Sequence, residues 1–318
     1  MSKKTLESIM QNEKKATRQA YGEVLCELGG TYPELCVLDA DLSKSTMTYE
    51  FKKVFPDRHF NLGIAEQNLA GYAAGLALSG KKVCFSGFAT FVTGRGFEII
   101  RNAIGYPHLD VNICATHAGI TVGEDGATHQ SFEDMAIMRT IPGMTVICPS
   151  DDFSTRELMR QALAHKGPCY VRLGRAAVPG IYGEGDKIEL GKGSVLREGK
   201  DAAIIACGIM VYEALAAAEK LSEEGIEARV IDMHTIKPLD EELVLKAAKD
   251  CGFIVSCEEH SVVGGLGGAI AELLSEKLPT KMAFVGQKDS YGESGKPEEL
   301  KAKYGMNADA IIHAVMNK

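Results

Sequence analysis

No stretch of this 318-residue chain is apolar for long enough to span a membrane. Cations are in deficit: 35 Lys plus Arg stand against 43 Asp plus Glu, a net charge of -8. That balance argues against a general nucleic-acid binder, whose affinity rests on cationic contacts to phosphate, but it leaves room for a small basic pocket. No Cys-x-x-Cys occurs, and the nine cysteines are scattered through mostly apolar stretches. They read as buried hydrophobes in a reducing cytosol, not as a disulfide frame or zinc site. The start, Met1 to Met10, is polar and lacks the apolar core of a signal peptide, so a cytoplasmic location is expected. Internal repeats and low-complexity tracts are missing as well.

What is present has the balance of a globular protein. Hydrophobic residues make up 45% and charged residues 25%, which is ample for a core and excludes disorder. The length suits about two domains. Short apolar strands alternate with helices. Leu35 to Asp39, Lys82 to Ser86, Val111 to Ala115, Thr145 to Cys148 and Cys169 to Arg172 read as strands. Ala65 to Ser79, Arg95 to Ile104 and Phe153 to Ala164 read as helices, the last capped by Asp152. Near-continuous apolar strands between helices predict a parallel sheet covered on both faces. From Ala176 to Gly199 the pattern lapses into glycines, Pro179 and charges, as in an inter-domain connection. It then restarts, with strands at Ala202 to Ala206, Ala228 to Ile231 and Phe253 to Ser256. Helices follow at Tyr212 to Glu223, Glu241 to Lys249 and Val263 to Lys277. The expectation is two doubly wound α/β domains, residues 1–185 and 186–318.

Three familiar motifs fail on inspection. Gly75 to Lys81 nearly spells a phosphate-binding P-loop, but position 82 is Lys, and the segment ends a helix where a P-loop would follow a strand. Gly264-Gly265-Leu266-Gly267-Gly268 misses the dinucleotide spacing and reads as a turn packed closely on a helix. Glu258, Glu259 and His260 are adjacent, and adjacent residues rarely converge on one ion; a solvated or interface loop is expected there.

Three loops at strand ends of the first domain lie where open α/β sheets place their ligands. They are Asp39 to Ser45, Asn61 to Asn68, and His117 to Gln130. The last holds three Gly, two His and two acids in 14 residues, a density of titratable groups that points to binding.

In their order, Gly63-Ile64-Ala65-Glu66-Gln67, Ala89-Thr90-Phe91, Val122-Gly123-Glu124-Asp125-Gly126-Ala127-Thr128-His129-Gln130 and Leu173-Gly174-Arg175 resemble the transketolase family over nearly the whole chain. The resemblance implies a pyrimidine-binding domain for thiamine diphosphate, followed by the family's C-terminal domain. It also implies a further domain that holds the cofactor diphosphate through Mg²⁺, marked by Gly-Asp-Gly. No Gly-Asp-Gly occurs in this sequence. The chain therefore resembles the C-terminal subunit of a split transketolase, with a separate N-terminal subunit as partner in an α2β2 assembly and the Mg²⁺ ligands on that partner.

Residue by residue, Glu66 matches the glutamate that bonds the cofactor's pyrimidine nitrogen and promotes its activation; a carboxyl in a dry pocket suits sharing that proton. Phe91 matches the aromatic that stacks on the aminopyrimidine, and Phe97 extends that wall. Three residues after Phe91, where an aromatic is common, this chain has Gly94, which leaves the wall thinner or filled by a residue of the partner. Asp41 and Leu42 match residues beside the cofactor. Arg18, Ser45, His117 and Arg175 match the sugar-phosphate contacts. Asp125 and His129 match residues that hold sugar hydroxyls, with His129 also a proton shuttle.

Two related enzymes share the layout. Deoxyxylulose-phosphate synthases usually carry Arg at the position of His117 and are single long chains. The beta subunits of 2-oxo acid dehydrogenases lack the Gly-Glu-Asp-Gly-x-Thr-His-Gln loop. A non-catalytic scaffold subunit is the alternative from another class, and the retained Glu66, Asp125, His129 and Arg175 argue against it.

Overall fold

The computed structural model describes residues 6–318; of the polar start, positions 1–5 lie outside the described residues. In chain order the strands are β1 (Lys14–Ala16), β2 (Leu35–Asp39), β3 (His59–Asn61), β4 (Lys82–Phe88), β5 (Val111–Thr116), β6 (Thr145–Ile147), β7 (Cys169–Arg172), β8 (Ala177–Pro179), β9 (Ser194–Arg197), β10 (Ala202–Ala206), β11 (Ala228–Asp232), β12 (Thr235–Lys237), β13 (Phe253–Ser261) and β14 (Lys281–Gln287). Every position of β2, β5, β7 and β10 is buried. That is what a parallel strand with helices on both faces demands of its sequence.

A seven-stranded sheet runs β12-β6-β7-β5-β4-β2-β3, parallel except where β12 meets β6. A five-stranded sheet runs β14-β13-β10-β11-β9, parallel except where β9 meets β11. The chain is thus α/β with two doubly wound units, and the second lends β12 to the first sheet. In the first sheet the chain steps from β2 to β3 on one side, then returns to β4 on the other. The crevice between the ends of β2 and β4 is therefore a topological switch point, the usual ligand position in such sheets.

Three local readings are corrected. The helix Asp152–Ala164 is capped by Asp151, not Asp152: the extended backbone of Asp151 lets its carboxylate accept from Ser154 N at 2.8 Å. Asp152 falls in the first turn and pairs with Arg156 at 3.1 Å. The helix expected from Arg95 begins earlier, at Ala89, runs to Arg95, and continues past Gly96 through Phe97–Ile99 into a wider turn over Ile100–Gly105. Glu258, Glu259 and His260 are not a solvated loop but the buried end of β13. Each polar group has a partner there. Glu258 accepts from Leu266 N and Gly267 N at 2.7 and 2.8 Å. Glu259 accepts from Thr121 N at 2.7 Å and faces Arg172 at 3.7 Å. Burial raises both carboxyl pKa values, and the Arg172 charge only partly offsets this for Glu259.

The close glycine turn is present: a Cβ on Gly265 would lie 2.0 Å from Glu258 Oε2, and one on Gly267 2.6 Å from the Phe284 ring. All nine cysteines are free, and only Cys26 and Cys251 are not fully buried. No helix among the described residues is long and apolar enough to cross a membrane.

The two units meet at a buried carboxyl. Asp232, at the end of β11, accepts from Ser150 Oγ at 2.7 Å and from the Tyr182 hydroxyl at 2.8 Å. Burial pushes its pKa up to about 7; the two bonds counter this in part, and the Asp151 charge adds to it. An acid raised in the folded state contributes stability that is complete below its unfolded pKa, near 4, and is lost as pH rises to about 7. Asp232→Asn keeps an acceptor without the charge. It is expected to flatten the pH dependence of the urea midpoint across this window and to be more stable than the parent at pH 8, by on the order of a few kcal/mol. Parallel curves for the two proteins would show that Asp232 is not the group involved.

Candidate active site

The loops after β2, β3, β4, β5 and β7 converge over the switch point. The β2 loop is tied down from below. Buried Asp39 accepts from Leu42 N at 3.1 Å and meets His59 Nε2 at 2.8 Å. Exposed Asp41 has a φ of 63°. Its N–H donates to Asn61 Oδ1 at 3.1 Å and its carboxylate accepts from Asn61 Nδ2 at 3.0 Å. This pair joins the Asp41–Leu42 loop to the loop that leads into Glu66.

Helix Glu66–Leu78 opens on the glutamate itself, where the helix N-terminus favours an anion. The Glu66 side chain is 3% exposed. Arg95 Nη1 reaches its two carboxylate oxygens at 3.3 and 3.2 Å. In front of Glu66 lies a cavity of about 630 Å³ lined by Ile64, Ala65, Gln67, Asn68 and Arg95.

Half-buried Phe91 lies on the helix Ala89–Arg95. Its ring meets His129 edge-on at 5.2 Å and lies nearly parallel to Phe88 at 6.2 Å. Phe88 in turn stacks on His117 at 4.0 Å. These four rings form one continuous wall across the strand ends. Phe97 is half-buried and packs on the core of the first sheet, and among the described residues the ring contacts of Phe91 are with Phe88 and His129.

On the far side of this wall lies a cationic cluster. Arg18, on the helix Thr17–Thr31, donates through Nη1 to the backbone oxygen of Ser45 at 2.7 Å. Its Nε is buried and, among the described residues, has no hydrogen-bond partner. Burial, with the like charge of Arg175, lowers the pKa of Arg18. Arg175 donates to Val122 O and faces Glu124 and Asp125 at 3.4 and 3.5 Å. His117 has a φ of 56°, which a side-chain-bearing residue rarely adopts. Its Nδ1 is 2.9 Å from Thr116 Oγ1. Burial above all, then Arg18, Arg175 and His129, push the His117 pKa down to about 3, so its imidazole is neutral near pH 7. The cluster can receive an anion with two guanidiniums and one neutral imidazole.

The structure therefore links Glu66 to Phe91 through Arg95, and Phe91 to His129, Phe88 and His117 through their rings; it pairs Arg18 with Ser45 and Arg175 with Asp125, with both guanidiniums near His117. The sequence reading missed Phe88 and Arg95. Phe88 is signalled only by being an aromatic at a strand end. Arg95 carries no motif and is found by its contacts alone. Among the described residues no group of three or more His, Cys, Asp or Glu is placed to hold a metal ion.

A parallel α/β sheet with a buried carboxylate and a ring wall at its switch point defines a nucleotide- or cofactor-handling class of protein. Residues 13–180 match the family described as "Transketolase, pyrimidine binding domain", and residues 191–311 match "Transketolase, C-terminal domain"; the chain belongs to the transketolase family. It is 51% identical to a "Putative transketolase C-terminal section" of Methanocaldococcus jannaschii, covering 96% of each chain. A solved structure described as "Split gene transketolase, inactive beta4 tetramer" is 52% identical, covers 95% of this chain and 97% of that one, and gives a TM-score of 0.89. Human transketolase is 38% identical over 98% of this chain, which spans 50% of the human protein.

Family membership implies thiamine diphosphate. The residues present fit its aminopyrimidine end: a buried carboxylate at Glu66 with an open cavity in front of it, and the half-buried ring of Phe91, which Arg95 links to that carboxylate.

Proposed function

We propose that this chain is the C-terminal subunit of a two-polypeptide transketolase that moves a two-carbon ketol unit from a ketose phosphate to an aldose or aldose phosphate. What carries the reading is kinship: a relative 51% identical over 96% of each chain is described as a transketolase C-terminal section, and a solved structure 52% identical over 97% of its own chain is described as a split gene transketolase. Residues 1–185 would be the pyrimidine-side unit and 186–318 the C-terminal unit. A separate subunit would bring the diphosphate site and its Mg²⁺, in an α2β2 assembly. The free, mostly buried cysteines suit a reducing cytoplasm.

Thiamine diphosphate, when bound, supplies the carbon nucleophile that carries the two-carbon unit. Glu66 holds a proton at the pyrimidine nitrogen, and burial keeps water from that bond. Phe91 supplies the flat apolar partner for the ring. Asp41 and Leu42 border the cofactor from the β2 loop. His129, edge-on to Phe91, is within the wall to hold a sugar hydroxyl and move its proton, and Asp125 holds a second hydroxyl. Arg18 and Arg175 take the phosphate, with Ser45 and neutral His117 completing the donors.

The test is reconstitution. The purified chain with thiamine diphosphate and Mg²⁺ is expected to bind the cofactor poorly and to transfer no ketol unit; adding the diphosphate-binding subunit should restore both. The relative described as an inactive beta4 tetramer supports that expectation. Tight, Mg²⁺-dependent binding and full activity of the lone chain would overturn the split-site reading.

A further inference from the structure

We propose that Arg95 is a stand-in for the cofactor's aminopyrimidine: in the chain without cofactor its guanidinium occupies the place between Glu66 and Phe91, and it has to leave before the ring can enter. The inference rests on the cofactor reading given above.

A carboxylate that is 3% exposed needs a partner, because an unpaired buried charge is costly. Among the described residues, the hydrogen bonds to the Glu66 carboxylate come from Arg95 alone. The same guanidinium lies over the Phe91 ring, 4.7 Å from its centroid. A flat, nitrogen-bearing group thus bonds the carboxylate and stacks on the phenyl ring at once. These are the two interactions that the cofactor reading asks of Glu66 and Phe91, so the guanidinium and the aminopyrimidine compete for the same carboxylate oxygens and the same ring.

The contact is built to break. A single nitrogen serves both carboxylate oxygens at 3.2 and 3.3 Å, without the two-pronged geometry of a strong Arg–carboxylate pair. The Arg95 side chain is 55% exposed, so its outward swing meets solvent. The backbone beside it is fixed. A Cβ on Gly96 would lie 2.5 Å from Val92 O, whereas one on Gly94 would meet nothing within 4 Å. Gly94 is the position where an aromatic is common in the family, and its open surroundings give the arginine side chain room to fold away. The bland alternative is a permanent Arg95–Glu66 bridge that orients the carboxylate for the ring. The two differ in the sign of the effect on cofactor affinity.

The experiment uses the full chain assembled with its diphosphate-binding subunit. Thiamine diphosphate is titrated at fixed Mg²⁺ by calorimetry into the parent, Arg95→Ala and Arg95→Met. Both variants are expected to bind roughly three- to tenfold more tightly, because no bridge and no stacked cation have to be displaced. In the lone chain without cofactor, a double-mutant cycle of Arg95→Ala with Glu66→Gln, read by urea unfolding, should show coupling. In the cofactor-saturated complex that coupling should vanish. Unchanged or weaker binding by both variants, or coupling that survives saturation, overturns the stand-in while leaving the cofactor reading intact. Failure of the parent complex itself to bind thiamine diphosphate overturns both.

Discussion

Replacing Glu66 with Gln is expected to slow turnover of the assembled enzyme by roughly 10²–10⁴-fold, the span that general acid–base groups contribute. The substitution keeps the shape of the side chain at the first position of helix Glu66–Leu78; it removes the charge that pairs with Arg95 and the ability to hold a shared proton. The buried amide of Gln still bonds a ring nitrogen, so cofactor affinity should fall far less than turnover. The step to watch is exchange of the thiazolium proton with solvent, followed by NMR in the presence of the partner subunit. It should slow in parallel with turnover. Near-parental exchange in Glu66→Gln would take Glu66 out of this role, and unchanged turnover would favour a scaffold subunit. Far-ultraviolet circular dichroism of the variant should match the parent, since Glu66 lies at the end of its helix and not in its interior.

Much of this architecture is legible in the residues, and the exceptions have a common physical origin. Leu35–Asp39 and Val111–Thr116 are apolar because both faces are covered, so their strand character is a local property of the sequence. Glu258, Glu259 and His260 read as polar loop because what buries and satisfies them comes from other elements of the fold. Thr121 and Arg172 come from the first unit, and the N–H groups of Leu266 and Gly267 come from the following helix. Strand β12 was invisible for a similar reason: its three residues find their partner across the chain in β6. In the site, Glu66, Phe91 and the His117 to Gln130 loop could be singled out because their spacing is a motif. Arg95 and Phe88 could not, because one is a cation on a short helix and the other an aromatic ending a strand. Only the fold sets them against Glu66 and His117. The ring beside Phe91 in the wall is Phe88.

Removing the cationic cluster should separate phosphorylated from unphosphorylated donors. Loss of a charge-assisted contact costs on the order of 1.5–3 kcal/mol, roughly ten- to a hundredfold in affinity. Arg175→Ala is therefore expected to raise KM for a ketose-phosphate donor about tenfold or more, with little change for hydroxypyruvate. Arg175 also holds Val122 O and faces Glu124 and Asp125, so its removal loosens the loop as well. Arg18→Ala is the cleaner probe, because among the described residues the buried Nε of Arg18 has no hydrogen-bond partner and the side-chain bond that the substitution breaks is the one to Ser45 O. It should show the same split between donors. The pH profile supplies an independent check. With a pKa near 3, His117 stays neutral from pH 5 to 9 and adds no ionisation to the profile. The phosphorylated donor should instead weaken only as its own phosphate takes up a proton, near pH 6, and hydroxypyruvate should show no such step. Equal losses on both donors in Arg18→Ala would contradict the phosphate assignment. A step near pH 6 on hydroxypyruvate that disappears in His117→Asn would show that this imidazole ionises after all.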